Sequence, residues 1–194
     1  MGIKFVVVGH HARREQAEHL AEILGAYLLL DESDFGANWN HHRALEWAAE
    51  QSCRVVVLED DALPVPGFAD KVADWLNRFP DSLISFYLGT GRPPQYQLEI
   101  ATKLIAADRV RADHITMQRL MHAVCYSVPP ALVPKALHRW DSSKPADFAV
   151  GDACGGPVIY PCNSLVDHAD GLPVEKHPDR QPRRERRRAW RLYG

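Results

Sequence analysis

The sequence has no apolar run approaching the roughly 20 residues that a membrane-spanning helix needs. Its four cysteines (Cys53, Cys125, Cys154 and Cys162) are scattered without a CxxC pair, which argues against a disulfide scaffold. The glycines form no phosphate-loop signature. The opening residues, MGIKFVVVGHH, carry only a short apolar run before two histidines, which is not a signal peptide. We therefore expect a cytoplasmic protein without a membrane span.

Charge is unevenly distributed along the 194 residues. The net charge is −2, yet Pro178–Gly194 holds seven arginines against Asp179 and Glu185. This segment carries about +5, which leaves about −7 on residues 1–177. We predict one domain over residues 1–175 and an arginine-rich tail over 176–194. Such a tail either contacts an anionic partner, nucleic acid among them, or folds back on the acidic body.

The first sixty residues predict alternating strands and helices. Apolar runs at Lys4–Val8 and Tyr27–Leu30 read as strands, and three-and-four spacing predicts helices at Ala12–Leu24 and Asn40–Gln51. A third apolar run follows at 54–58. Strands alternating with helices through short connections favour an α/β fold, in which helices flank a mostly parallel sheet.

The rest of the chain continues with weaker signals. The pattern predicts helices at Phe68–Phe79, Ile100–Ala107, Pro129–Trp140 and Ala146–Ala153, and a less clear helix at Ile115–Met121. It predicts strands at Leu83–Leu88, His122–Val128 and Val158–Tyr160. The loop GTGRPPQYQ lies between the Leu83–Leu88 strand and the Ile100–Ala107 helix.

The most informative stretch is RVVVLEDDALP, at Arg54–Pro64. The buried strand runs directly into Glu59, Asp60 and Asp61. Like charges this close repel each other and resist burial, unless a cation lies among them. Hard cations such as Mg²⁺ and Mn²⁺ prefer oxygen ligands, and ligands of open α/β sheets bind beyond the carboxyl ends of the strands. We predict a metal site here. The alternative is that one acid caps the next helix.

The order of these elements, with Asp31 ending the second strand and LEDDA ending the third, resembles the nucleotide-sugar half of a GT-A glycosyltransferase. The LEDDALP motif is most similar to the corresponding motif of small bacterial transferases of the lipooligosaccharide type and of short phage relatives. PVIYPCNSLVDHADG resembles the end of that domain, where family members often read P-S-L-V-x-H. Here Cys162 and Asn163 separate Pro161 from Ser164. The resemblance covers roughly residues 4–172.

The resemblance implies a role for each matching residue. Asp61 would bind Mn²⁺ or Mg²⁺ directly, with His168 as a further ligand, and Glu59 or Asp60 would hold the ribose or the metal's waters. The remaining implied roles concern the donor: Asp31 and Asn40 would face the nucleoside of a nucleotide sugar, UDP-sugar above others, and Arg14 and Arg43 would face its diphosphate.

The catalytic base is left open between two aspartates. Inverting members place a carboxylate before the last strand, where Asp147 lies, and Asp152 is its rival. The family's usual Glu-Asp pair is absent. The resemblance thus implies sugar transfer to an acceptor hydroxyl, on a glycan or on a hydroxymethylated DNA base of a phage in host cytoplasm.

The chemistry of glycosyl transfer requires the same types of residue. Glycosyl transfer passes through a transition state with oxocarbenium character. A divalent cation neutralises the leaving diphosphate and a carboxylate accepts the acceptor's proton. The rival classes are a metal-dependent phosphatase or nuclease, a phospho-acceptor receiver with Asp60 before Pro64, and a non-catalytic nucleotide-sugar binder.

Two histidine pairs, His10–His11 and His41–His42, lie near the predicted sheet edge. Neighbouring side chains on a helix or strand do not share a face. We therefore do not expect both members of a pair to bind one metal, although one of each pair is placed to reach a nucleotide.

Overall fold

The computed structural model describes residues 2–171, 174 and 186–194. It is an α/β protein with one seven-stranded sheet between helices. The strands that the structure describes are β1 (Ile3–His10), β2 (Tyr27–Asp31), β3 (Arg54–Glu59), β4 (Ala62–Pro64), β5 (Leu83–Ser85), β6 (His114–Met117), β7 (Cys125–Ser127), β8 (Val158–Pro161) and β9 (Val166–His168).

The helices cover both faces of the sheet. They are α1 (Arg14–Leu24), α2 (Ala37–Ala49), α3 (Phe68–Arg78), α4 (Gln97–Val110), α5 (Val133–His138) and α6 (Ala146–Cys154). Gly25 ends α1 with a φ of 58°, in the left-handed region that glycine adopts without strain. In the described part of the chain, no helix is both long and apolar enough to cross a membrane.

The large sheet is mixed rather than wholly parallel. Its order is β2-β1-β3-β7-β5-β8-β6. The pairs of β1 with β2 and β3, and of β5 with β8, are parallel, whereas β7 is antiparallel to both its neighbours and β6 is antiparallel to β8. β4 and β9 form a separate antiparallel pair. The predicted α/β class is confirmed, and its mostly parallel sheet carries two antiparallel strands.

The central strands are buried on both faces, which explains their continuous apolar runs. Alternate residues of β1 serve opposite cores: Val6 and Val8 pack on the side of α2, and Val7 packs on the side of α1 and α3. Leu45 of α2 and Trp75 of α3 belong to these two cores respectively. The packing therefore fixes β1 and β3 side by side, with their carboxyl ends at one edge.

Three predictions of secondary structure differ from the structure. The stretch Ile115–Met121 was expected to favour a helix, but His114–Met117 is strand β6, whose Ile115 and Met117 are buried beneath the sheet's edge. The expected strand Leu83–Leu88 is shorter in the structure, where β5 spans Leu83–Ser85. Helix α4 begins at Gln97, three residues earlier than the apolar spacing predicts.

Arg54 is a buried cation at the start of β3. Its guanidinium donates hydrogen bonds to the side chain and carbonyl of Ser127 and to the carbonyls of Phe79, Pro80 and Ser82. Burial lowers the pKa of Arg54 to about 10. The side chain ties β3, β7 and the end of α3 together through carbonyl oxygens.

The C-terminal strap, which we define as residues 186–194, packs on the body. Main-chain bonds join Trp190 to Leu88, Thr90 to Arg188 and Ser164 to Arg191. The indole nitrogen of Trp190 donates to Gln97, 3.0 Å away. The tail therefore folds back on the body over this strap, while the predicted boundary at 175/176 and the tail residues 176–185 lie outside the described residues.

Candidate functional site

A cavity of about 200 Å³ opens at the carboxyl ends of β1, β2 and β3. Its lining is Val8, Gly9, His10, Arg13, Asp31, Gly36, Ala37, Asn40, His41, Glu59, Asp60, Asp61, Val174 and Arg187. Parallel strands bring their carboxyl ends to one edge, so residues from three separate loops meet there. Five of the sequence-predicted site residues line this cavity: Asp31, Asn40, Glu59, Asp60 and Asp61.

The three carboxylates of the LEDDA stretch have different partners. Glu59 accepts a hydrogen bond from His41 at 3.2 Å. Asp60 accepts the main-chain N–H of His10 at 2.8 Å and Arg13 at 2.9 Å. Asp61 uses Oδ2 to accept from Arg13 at 2.6 Å. Its Oδ1 is buried and has no hydrogen-bond partner among the described residues.

The small sheet brings His168 to Asp61. Ala62 of β4 pairs with His168 of β9, and the N–H of Ala169 donates to the carbonyl of Asp61 at 2.8 Å. As a result, Nε2 of His168 lies 3.4 Å from Oδ2 of Asp61. The sequence-predicted pairing of these two residues is present in the structure, although the two strands are far apart in the chain.

The hydrogen bonds of His168 fix its tautomer. Nδ1 lies 2.6 Å from the carbonyl oxygen of Ala169, which can only accept, so Nδ1 carries the proton. Nε2 then presents its lone pair and accepts from Nη1 of Arg187 at 2.8 Å. A lone pair on Nε2, with Nδ1–H held by a carbonyl, is the arrangement that metal-binding histidines use.

The charges of this cluster are incompletely compensated. Burial raises the pKa of Asp61, and the charge of Glu59 raises it further. Burial likewise raises the pKa of Asp60 despite its bonds to His10 and Arg13. Glu59 differs: burial opposes its ionisation, but the hydrogen bond from His41 and the positive groups around the carboxylate together lower its pKa. A bound cation would favour the ionised form of the Asp61 carboxylate.

Asp61 and His168 offer candidate ligand atoms for a divalent metal. Oδ1 of Asp61 is buried and has no hydrogen-bond partner among the described residues, Nε2 of His168 carries a lone pair, and Glu59 is a second carboxylate whose charge acts on Asp61. Oxygen-rich sets with one imidazole suit Mn²⁺ and Mg²⁺. Both oxygens of Asp60 are engaged by Arg13 and by the N–H of His10, so we do not count Asp60 among the candidate ligands.

Asp31 and Asn40 shape the cavity wall. Asp31 accepts main-chain hydrogen bonds from Ser33, Phe35 and Gly36, and although burial opposes ionisation, these bonds hold its pKa below the ordinary value. The amide of Asn40 donates to the carbonyls of Gly9 and Leu29 at 3.0 and 2.9 Å. Their contact with a nucleoside remains a prediction.

The two predicted diphosphate arginines lie outside the cavity lining. Arg14 makes a two-oxygen ion pair with exposed Glu32, and Arg43 stacks 4.4 Å above the ring of Trp39. Arg13 and Arg187 line the cavity instead. Arg13 was overlooked because the 3₁₀ turn His11–Arg13 precedes α1 and redirects the chain. No sequence signal places Arg187 there.

Asp147 and Asp152 have contrasting environments on α6. Asp152 is paired with Lys144 at 3.0 Å and Arg119 at 3.3 Å. Asp147, in the first turn, accepts a hydrogen bond from the N–H of Phe148 at 2.8 Å. Burial raises the pKa of Asp147 to about 7, and the charge of Glu59 contributes to that rise. Neither residue belongs to the cavity lining.

His41 is a further site residue that the sequence signalled only as half of a pair. It is buried, with Nδ1 3.0 Å from the hydroxyl of Tyr126 and Nε2 3.2 Å from Glu59. The ring connects the core strand β7 to the carboxylate cluster. Its position on α2, facing β3, fixes the orientation of Glu59.

Fold and site together define an α/β protein with an acidic, histidine-containing cavity at the carboxyl edge of its sheet. No protein-family model matches the sequence, and no curated protein matches it significantly. Among solved structures, the viral protein in "Crystal Structure of A197 from STIV" is similar, with a TM-score of 0.60 at 10% identity. The similarity covers 93% of this chain and 92% of that one. At this low identity, the structural similarity shows a shared fold and nothing more.

Proposed function

We propose that the protein is a metal-dependent GT-A-type glycosyltransferase that moves a sugar from a nucleotide diphosphate sugar to an acceptor hydroxyl. The observation that carries this proposal is the meeting of Asp61 and His168 beside a cavity at the sheet's carboxyl edge. Oδ1 of Asp61 is buried there without a hydrogen-bond partner in the part of the chain that the structure describes. A structural helix cap would explain one acid. It would not explain three acids, a histidine lone pair and a cavity in the same place.

Asp61 and His168 would hold Mn²⁺ or Mg²⁺, with Glu59 beside them. When bound, the metal would neutralise the charge that develops on the leaving diphosphate. His41 orients Glu59, and Arg13 holds Asp60 and Asp61 in position. The protein thus prepares the ligand oxygens before any ligand arrives, which lowers the cost of binding.

The donor would occupy the cavity between β1, β2 and α2. Asp31 and Asn40 line the part expected to take the nucleoside of a UDP-sugar. Arg187 brings a positive charge beside His168 and is suited to the diphosphate. We therefore assign to Arg187 the role that the resemblance gave to Arg14 and Arg43.

Asp147 is the better of the two base candidates. A base works best when its pKa lies near the working pH, and the pKa of Asp147 is about 7. Asp152 is neutralised by Lys144 and Arg119. We assign to Asp147 the removal of the proton from the acceptor hydroxyl.

A glycan hydroxyl is the acceptor we favour over a hydroxymethylated DNA base. Two arginines of the strap face the protein itself: Arg191 pairs with Asp108 at 2.6 Å, and Arg187 faces the cavity. Fewer arginines of the strap are therefore available to contact DNA phosphates. Loss of DNA binding on raising salt, or on deleting residues 178–194, would instead favour the nucleic-acid acceptor.

A thermal-shift panel tests the proposal. UDP, GDP, CMP and UDP-sugars are added with and without Mn²⁺ to the native protein, to Asp61→Ala and to Asp74→Ala, an exposed aspartate of α3. We expect one nucleotide class to stabilise the native protein and Asp74→Ala only with Mn²⁺, and not Asp61→Ala. At a hundredfold excess over the dissociation constant the gain is about 2.7 kcal/mol.

Absence of any metal-dependent shift in the native protein would contradict the donor site. Binding without sugar release or transfer would favour a nucleotide-sugar binder, and release of inorganic phosphate or cleaved nucleic acid would favour the phosphatase or nuclease class. The receiver alternative has little support, because both oxygens of Asp60 are already engaged by Arg13 and the His10 N–H.

A further inference from the structure

His10, His11 and Asp34 form a second cluster of metal-ligating side chains, which we call the rim triad. Nε2 of His10 and Nε2 of His11 each lie 2.8 Å from the same oxygen, Oδ1 of Asp34. The three ligand atoms all lie within 4.8 Å of one another. The two imidazole rings are 4.3 Å apart between centroids. The expectation that the side chains of neighbouring histidines do not share a face is therefore wrong for this pair.

The backbone explains why the two rings converge. His10 is the last residue of β1 and His11 is the first residue of the 3₁₀ turn His11–Arg13. Alternation of side chains holds within a strand and fails where the backbone changes direction. The chain turns between the two residues, and both side chains then point toward the loop after β2.

Asp34 is presented by a loop whose shape does not depend on the histidines. The carboxylate of Asp31 collects the N–H groups of Ser33, Phe35 and Gly36, and so folds this loop around itself. Asp34 has a φ of 58°, in the left-handed region. The carboxylate of Asp34 is thereby held over the two rings.

We propose that the rim triad binds a borderline transition metal of the Zn²⁺ class. Two imidazole nitrogens and one carboxylate are a common ligand set for such ions, which prefer imidazole more than Mg²⁺ does. In a tetrahedral site with bonds of about 2.0–2.1 Å, ligand atoms lie about 3.3 Å apart. The N···O distances must therefore lengthen by about half an ångström. His11 and Asp34 are exposed and have room for that movement.

Binding requires one local rearrangement. Nδ1 of His10 accepts the N–H of Ala12 at 3.1 Å, which leaves the ring proton on Nε2. A metal on Nε2 moves that proton to Nδ1, and the bond to Ala12 is lost. The net contribution of one such bond is small beside the free energy of zinc coordination.

The rim triad is separate in chemistry from the carboxylate cluster but connected to it. Its imidazoles suit zinc, whereas the cluster at Asp61 is rich in hard oxygen ligands. The main-chain N–H of His10 donates to Asp60, so the two clusters share a strand end. Zinc on the triad would pin the turn after β1 to the loop after β2, at the mouth of the cavity.

The test is a calorimetric titration of ZnCl₂ into the full chain carrying Asp61→Ala. This substitution removes the carboxylate cluster, so that metal bound there does not contribute to the measured stoichiometry. Three further proteins add His11→Ala, Asp34→Asn or His19→Ala to that background. Asparagine tolerates the left-handed backbone at position 34, and His19 is an exposed histidine of α1 that controls for casual surface binding. Co²⁺ replaces Zn²⁺ in a parallel absorbance titration, to report coordination by its visible bands.

We expect one equivalent of Zn²⁺ in the background protein and in its His19→Ala derivative, with tetrahedral Co²⁺ bands. His11→Ala and Asp34→Asn should weaken this binding beyond the roughly 10–100-fold that loss of an outer-shell partner causes, while circular dichroism shows an unchanged fold. Equal zinc affinity in all four proteins, or none in the background protein, would overturn the proposal. Neither result depends on whether nucleotide sugars bind, so failure here is distinguishable from failure of the proposed function.

Discussion

Nε2 of His168 and Oδ2 of Asp61 lie 3.4 Å apart, and a guanidinium nitrogen of Arg187 lies 2.8 Å from the same Nε2. A positive group thus already sits where the carboxylate cluster needs one. Asp61 immediately precedes β4 and His168 ends β9, its partner in the small sheet. The two residues are far apart in sequence, so their meeting is a property of the fold rather than of local sequence.

Replacing Asp61 by asparagine should leave the metal-free protein at least as stable as the native one. The raised pKa of Asp61 means that its environment disfavours the charge. The same change should abolish stabilisation by Mn²⁺. Urea unfolding with and without Mn²⁺ measures both effects, and a clear loss of metal-free stability would contradict this account of the cluster.

Arg187→Ala should raise the affinity for Mn²⁺ in the absence of nucleotide. The guanidinium donates to the His168 lone pair that a metal would use. One hydrogen bond is worth about 0.5–1.5 kcal/mol net, which corresponds to a roughly two- to tenfold gain. Calorimetric titration of Mn²⁺ measures it. Arg188→Ala, the exposed neighbour, is the matched control, and an equal effect of both changes would point to general charge instead.

Asp147→Asn should change how stability depends on pH. The pKa of Asp147 is about 7 in the folded protein and about 3.9 in an unfolded chain. Between these values the folded state binds the proton more tightly, so its contribution to stability falls as pH rises through this window and is constant above it.

The amide cannot titrate, so Asp147→Asn should gain stability relative to native protein between pH 5 and pH 8. We expect a gain on the order of 2 kcal/mol after screening by solvent is allowed for. Urea titrations at the two pH values measure it. A parallel pH dependence of both proteins would show that Asp147 ionises normally.

Transfer activity provides a separate test of Asp147. The native rate should rise with pH through about 7 as the carboxylate becomes a base. Asp147→Asn should lower kcat by roughly 10²–10⁴-fold, and Asp152→Asn by much less. A larger loss in Asp152→Asn would reassign the base to Asp152.

Arg54→Ala should destabilise the protein by about 3 kcal/mol or more, because several buried carbonyls lose a charged donor. Arg109→Ala, at an exposed position of α4, should have an effect within about 0.5 kcal/mol. Chemical denaturation compares the two variants. A small effect at Arg54 would mean that water replaces the guanidinium there.

The first half of the fold was predictable because its signals are local. Continuous apolar runs identified β1 and β3, and three-and-four spacing identified α1 and α3. The placement of β7 between β3 and β5 was not predictable, because antiparallel insertion depends on contacts between distant segments. The stretch His114–Met117 was mispredicted for a related reason: two apolar residues, Ile115 and Met117, fit a strand or a helix until the neighbouring segment is known.

The candidate site was also predictable only in part. Glu59, Asp60 and Asp61 could be found from their position after a buried strand, and His168 from a resemblance. Arg13, which ends the 3₁₀ turn His11–Arg13, lines the cavity, whereas Arg14 begins α1 and does not. The convergence of His10 with His11 arises at that same turn.

The order of residues along the chain determines when the site can form during synthesis. A ribosome completes the acidic stretch at β3 long before it reaches His168 or the strap that carries Arg187. Because a domain generally folds as one unit, the site cannot be completed until β9 and the strap have been synthesised. Among the groups that contact Asp60 and Asp61, Arg13 precedes the acidic stretch in the chain, whereas His168 follows it.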